Sequence, residues 1–162
     1  MNVKEFWKII EETKPMPYVA NEMFINKVNT YSNDDIKKAQ AILNKYDEML
    51  GTVIDEDKLY DRYGIADDHY LDFKHWVISK GFEMYKAIYN GNFEVLEDYL
   101  SIEDYVTIEN VTLTIYDTIK VEFEGFSFID INDYEEKYTD DDYFGYDSLT
   151  DSDIIEIEKS VE

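Results

Sequence analysis

Up to about residue 100 the apolar side chains recur every three or four positions, and from about residue 102 they recur at every second position. No other feature restricts the fold as strongly. A period of about 3.6 residues lines up one face of a helix, and a period of 2 lines up one face of a strand. Residues 3–13 place Val3, Phe6, Trp7 and Ile10 on one helical face, and Pro15 and Pro17 end the run. Residues 18–31 are ambiguous, with Met23, Phe24 and Val28 compatible with a short helix. Ser32 followed by Asp34 and Asp35 has the form of an N-cap with acids in the first turn. The helix it opens carries Ile36, Ala39, Ile42, Leu43, Tyr46, Met49 and Leu50, with Gly51 as its expected C-terminal cap. A short helix over 55–63 is expected to stop near Gly64. A longer one begins at Asp67 and Asp68 and turns Tyr70, Phe73, Trp76, Val77, Met84 and Ile88 inward, with Gly81 either a break or a close packing contact. Asn90-Gly91-Asn92 reads as a turn, and Phe93, Leu96 and Leu100 mark the last helix of this half.

Beyond it, Val106 and Ile108, then Val111, Leu113 and Ile115, then Ile119, Val121 and Phe123 alternate with polar residues, and Phe126 and Phe128 follow Gly125. This predicts three or four short antiparallel strands with one wet face, along which carboxylates repeat about every 6.6 Å. The expected fold is therefore α+β. A helical bundle over residues 1–100 packs on a small C-terminal antiparallel sheet over residues 101–162, with a long acidic loop at 130–153 and a final strand or short helix over 153–160. No Pro/Gly/Ser linker marks the join near 99–103, so the two parts are expected to form one compact unit.

Charge narrows the function. The chain of 162 residues has 38 acids against 15 bases, a net −23. Residues 1–100 carry 12 bases and 19 acids, net −7, and residues 101–162 carry 3 bases and 19 acids, net −16. Direct nucleic-acid binding and anionic membranes are disfavoured, because both need clustered Lys and Arg. A basic protein surface, or a cation, is favoured. Fifteen Tyr, nine Phe and two Trp are enough to fill a core, which argues against a disordered acidic tail. The absence of Cys removes disulfides, thiolate metal sites and a Cys nucleophile, and fits a cytoplasmic location. Residues 1–20 have no signal-peptide apolar run, and no stretch approaches a transmembrane helix.

No catalytic signature is present. His69 and His75 are the only histidines, and six residues apart they do not share a helical face as a metal pair would. Asp67, Asp68 and His69 form a candidate metal or acid/base cluster, against the plainer reading of a helix start with dipole-favoured acids. Trp7 and Trp76 read as core anchors. Asp140, Asp142, Gly145 and Asp151 fall at positions one, three, six and twelve of a calcium loop, but position five is Phe144 and position twelve is Asp rather than Glu. No specific metal or cofactor is expected.

The residues singled out for partner binding are Glu122, Glu124, Asp133, Glu135, Glu136, Asp140, Asp141, Asp142, Tyr143, Phe144, Tyr146 and Asp147. Aromatic side chains anchor interfaces, and a surround of carboxylates steers a basic partner and fixes its register. The expected function is that of a non-enzymatic acidic inhibitor occluding a basic, nucleic-acid-binding surface such as that of a nuclease. Two settings fit: a phage or mobile-element anti-defence protein, anti-CRISPR-like and acting as a DNA mimic, or an immunity protein that neutralises a toxin. The bland alternative for residues 130–153 is a solubilising loop.

Phe6-Trp7 with Ile9-Ile10, Tyr31-Ser32-Asn33-Asp34-Asp35-Ile36, and Asp67-Asp68 followed by Phe73-Lys74 with Trp76-Val77-Ile78-Ser79 and Gly81 together carry a resemblance. On them, residues from about 4 to 100 resemble the bacterial domain-of-unknown-function family numbered 4240. The chain departs from that pattern at Tyr63-Gly64-Ile65-Ala66 and at His69-Tyr70. The resemblance implies a mostly helical domain and no known chemistry, with residues 101–162 outside it.

Overall fold

A computed structural model describes residues 1–13, 26–63, 65, 67–96, 128 and 148–161, with backbone alone at 67–69. Six helices are described from end to end: α1 (Val3–Glu12), α2 (Asn33–Val53), α3 (Glu56–Tyr63), α4 (Asp67–Ser79), α5 (Phe82–Tyr89) and α6 (Asp151–Ser160), and residues 26–28 and 94–96 are helical as well. Several helix ends have a local cause. Asn2 caps α1 reciprocally with Glu5, and the Thr13 hydroxyl closes its last turn by donating to the Ile9 carbonyl at 2.7 Å. Ser32 accepts from the Asp35 amide at the start of α2. Gly81 adopts φ 100° and ψ 173°, a conformation closed to other residues, and so separates α4 from α5 as a true break. Gly51 does not cap α2, which runs through it to Val53 and ends at Ile54.

Helix α2 is the organising element, packing against α1, α4, α5 and α6. Its inner face meets an aromatic cluster. The Tyr46 ring lies 5.7 Å from Phe6, 4.9 Å from Trp7 and 4.9 Å from Tyr85. Tyr85 donates from its hydroxyl to the Tyr46 carbonyl at 3.0 Å, so a ring fully withdrawn from water keeps its polar end satisfied. Trp7 and Trp76 both lie in this core.

The expected α+β architecture does not hold. The described residues are 79% helical and contain no strand or sheet. Residues 106–127, where alternation called for strands, lie outside the described residues. Phe128 is described, as a single buried residue 5.2 Å from the Phe6 ring, its amide donating to Gln40 Oε1 at 3.0 Å. Residues 151–160, open in the sequence to a strand or a short helix, form α6. Its capping box joins the Thr150 hydroxyl to the Asp153 amide, and Ile157 is buried against the bundle. In so short a run Ile155 and Ile157 alternate as in a strand while Ile154 and Ile157 sit at helical spacing; the cap decides the outcome.

Candidate functional site

All twelve residues singled out for partner binding, from Glu122 to Asp147, lie outside the described residues. Asp67, Asp68 and His69 occupy the first turn of α4, where a helix N-terminus favours carboxylates. No group of three or more His, Asp or Glu side chains able to hold a metal occurs among the described residues. Of the calcium-loop positions only Asp151 is described, as the first residue of α6.

The described polar chemistry gathers instead between α2 and α4. Asp47 comes from α2, and Tyr70, Lys74 and His75 come from α4, where Tyr70 and Lys74 are one turn apart. Lys74 Nζ donates to Asp47 Oδ2 at 2.7 Å and lies 4.9 Å from the centre of the Tyr70 ring. His75 Nε2 stands 3.5 Å from Asp47 Oδ1, close enough for charge attraction but too long for a hydrogen bond. Asp47 Oδ1 and the Tyr70 hydroxyl are buried without a hydrogen-bond partner among the described residues. Burial first, then the nearby Glu56 and Asp47 carboxylates, push the Tyr70 hydroxyl up to about 12. The cluster joins α2 to α4 through one ion pair, with the imidazole beside it.

Sequence reasoning missed Asp47 and Lys74, because each reads as one charge on a solvated helix face. The available signal was the position of Lys74 and His75 inside the apolar run from Phe73 to Ile78.

A second polar clasp fixes the C-terminal helix. Asp153 is buried and pairs with Lys38 of α2 at 2.9 Å. Although burial works against its charge, Lys38 and the Thr150 hydroxyl and amide hold the carboxyl down to about 2. An open groove of about 530 Å³ runs beside α3, floored by Val53, Leu59, Tyr63 and Phe93. On its rim Lys58 pairs with Asp55 at 3.0 Å, and Asp61 stands with Arg62, so its charges balance. No described helix is long and apolar enough to cross a membrane.

Comparison with known proteins adds one finding. No curated protein and no solved structure matches the chain. A family profile described as "Protein of unknown function (DUF4240)" matches residues 1–136. The match therefore runs beyond residue 100, where the resemblance was expected to stop, and takes in the first residues of the acidic stretch. Covering most of the chain, it shows that this protein belongs to the DUF4240 family.

Proposed function

We propose that this protein is a non-enzymatic inhibitor that sets carboxylates and aromatic rings against a basic, nucleic-acid-binding surface of another protein. Charge carries the reading. With 38 acids and 15 bases, pairing every base with an acid still leaves 23 carboxylates in excess. Such an excess repels itself in a compact chain, and a basic partner relieves the repulsion. Residues 101–162 hold 19 acids and 3 bases, so the negative potential is concentrated at one end of the sequence. A nucleic-acid duplex presents one negative charge per about 1.7 Å of its axis, and a surface built to grip that array also attracts a dense field of carboxylates. The aromatic residues Tyr143, Phe144 and Tyr146, set among Asp140, Asp141, Asp142 and Asp147, supply anchors that solvation alone does not call for.

The setting we favour is a phage- or mobile-element-encoded antagonist of a nuclease defence system. A binding panel tests this, with CRISPR effector nucleases on one arm and secreted bacterial toxins on the other. The expected result is salt-sensitive capture of a basic nuclease that loses its nucleic-acid substrate on binding. Changing Asp140, Asp141, Asp142 and Asp147 together to Asn weakens that capture and leaves the far-UV circular dichroism unchanged. Affinity indifferent to the four changes and to salt sinks the reading, and capture confined to the toxin arm moves it to immunity.

A further inference from the structure

Helices α1 and α6 are in contact, and beside the contact lies an open trough of about 700 Å³. Lys4 and Trp7 line it from α1, Phe82 from α5, and Ile155, Glu156 and Lys159 from α6. Its apolar part is unfinished, for Ile155 is 49% exposed while Asp153 and Ile157 on the inner side of α6 are buried. It also has a donor to spare. Trp7 is only 7% exposed, and its indole Nε1 is buried without a hydrogen-bond acceptor. The Tyr46 hydroxyl acts on the indole without reaching hydrogen-bond geometry. A buried donor left unpaired is costly. The charge of the trough is the reverse of the chain's. Lys8, Lys27, Lys38, Lys45, Lys58 and Lys74 each pair with a carboxylate. Lys4 and Lys159 form no ion pair among the described residues, and Lys86 adds a third ammonium, 5.9 Å from the centre of the Phe82 ring. Against them, Glu156 is the one described acid in the lining.

We propose that this trough docks an acidic amphipathic helix of a partner protein, with a large apolar side chain seated between Trp7, Phe82 and Ile155 and carboxylates meeting Lys4 and Lys159. The walls favour a helix. Lys4 with Trp7, and Ile155 with Lys159, stand at helical spacing, so each wall presents a ridge against which the ridges of another helix can pack. The rim favours acids, because ammonium groups without a carboxylate complement an anionic partner. A carboxylate entering the trough also offers the Trp7 donor an acceptor. The excess of 23 negative charges opposes such a partner, but the two forces differ in range. The repulsion is summed over the whole molecule and is screened beyond about 8 Å at physiological salt, whereas a carboxylate touching an ammonium lies inside that length. Raising salt therefore leaves this binding level or strengthens it, the opposite of the capture of a basic nuclease.

The test titrates the full chain with three probes. One is a helical peptide of about fifteen residues with Leu and Phe on one face and Glu on the other, the second is the same peptide with Lys for Glu, and the third is decanoate. The indole N–H signal of Trp7 in heteronuclear NMR reports on the trough. The expected result is a saturable shift with the Glu peptide, its affinity reduced about tenfold by Lys4→Glu combined with Lys159→Glu, and likewise by Ile155→Asp. All three side chains are exposed, so far-UV circular dichroism stays unchanged in these variants. No shift with the Glu peptide, a shift indifferent to the substitutions, or a shift produced only by the Lys peptide or only by decanoate overturns the proposal. If Ile155→Asp does not fold, the lysine pair decides it alone.

Discussion

Asp153 performs two tasks with one carboxylate. It completes the capping box of α6 and pairs with Lys38 of α2. Its carboxyl, held at about 2 against an ordinary 3.8, makes a contribution of about 2 kcal/mol that is fully present above the ordinary value. Because the folded value is depressed, that stability is lost as the pH falls through about 4 towards about 2. Asp153→Asn should lower unfolding stability by about 2 kcal/mol at neutral pH, and chemical denaturation should show the difference vanishing near pH 2. Two glycines should respond in opposite directions. Gly51 lies inside α2, where among the described residues a Cβ would meet only Lys74 Nζ at 3.8 Å, an ordinary contact. Gly51→Ala should therefore raise stability by about 0.5–1 kcal/mol. Gly81 holds φ 100°, and Gly81→Ala should cost about 1–3 kcal/mol. Thermal melts of the two variants side by side check the contrast. The sequence marked Gly51 as a C-terminal cap and left Gly81 open between a break and a close packing contact, since it shows where a helix is weak but not whether the chain turns there.

At the scale of elements, α2 and α4 are joined by a greasy interface with one ion pair set into it. Phe73, Trp76, Val77 and Ile78 are all fully buried, and Lys74 is nearly so. Removing one partner leaves a buried charge without compensation. Asp47→Ala should lower stability by about 3–5 kcal/mol, whereas Asp47→Leu with Lys74→Met should be neutral or stabilising. A double-mutant cycle followed by urea unfolding measures the coupling. The helices were legible because their patterns are long. Val3, Phe6, Trp7 and Ile10 in α1, and Ile36 to Leu50 in α2, keep a 3.6-residue period over several turns and start at recognisable caps. Helix α6 was not, because in so short a segment with three isoleucines both periods fit.

Over the whole molecule, the helical body and the charge play separate parts. The body owes its cohesion to the aromatic cluster around Tyr46 and to a few clasps, whereas the 23 excess carboxylates work against compaction. The proposed binding should therefore depend on ionic strength far more than folding does. Raising salt from about 50 to about 200 mM should weaken capture of a basic nuclease by an order of magnitude or more while leaving the thermal midpoint level or higher. Calorimetry of binding and of unfolding in the same buffers compares the two. Of the candidate site, the sequence supplied Asp140, Asp141, Asp142, Tyr143, Phe144, Tyr146 and Asp147 as a composition, which carries no geometry. The described polar cluster, Asp47 with Lys74 and His75, was hidden because its members come from two helices.

Taken alone, the sequence determined α1, α2 and α3, the two tryptophans in the core, the charge excess and the family. These follow from local period, capping and composition, which neighbouring residues write directly. Tertiary structure decided which charges leave the surface, whether a glycine ends a helix, and that residues 151–160 are helical. It also replaced an expected α+β fold with a mostly helical one, without strands among the described residues. The reason is the same in each case: a contact such as Lys38 with Asp153 or Asp47 with Lys74 joins residues far apart in the chain, and periodicity is blind to distance.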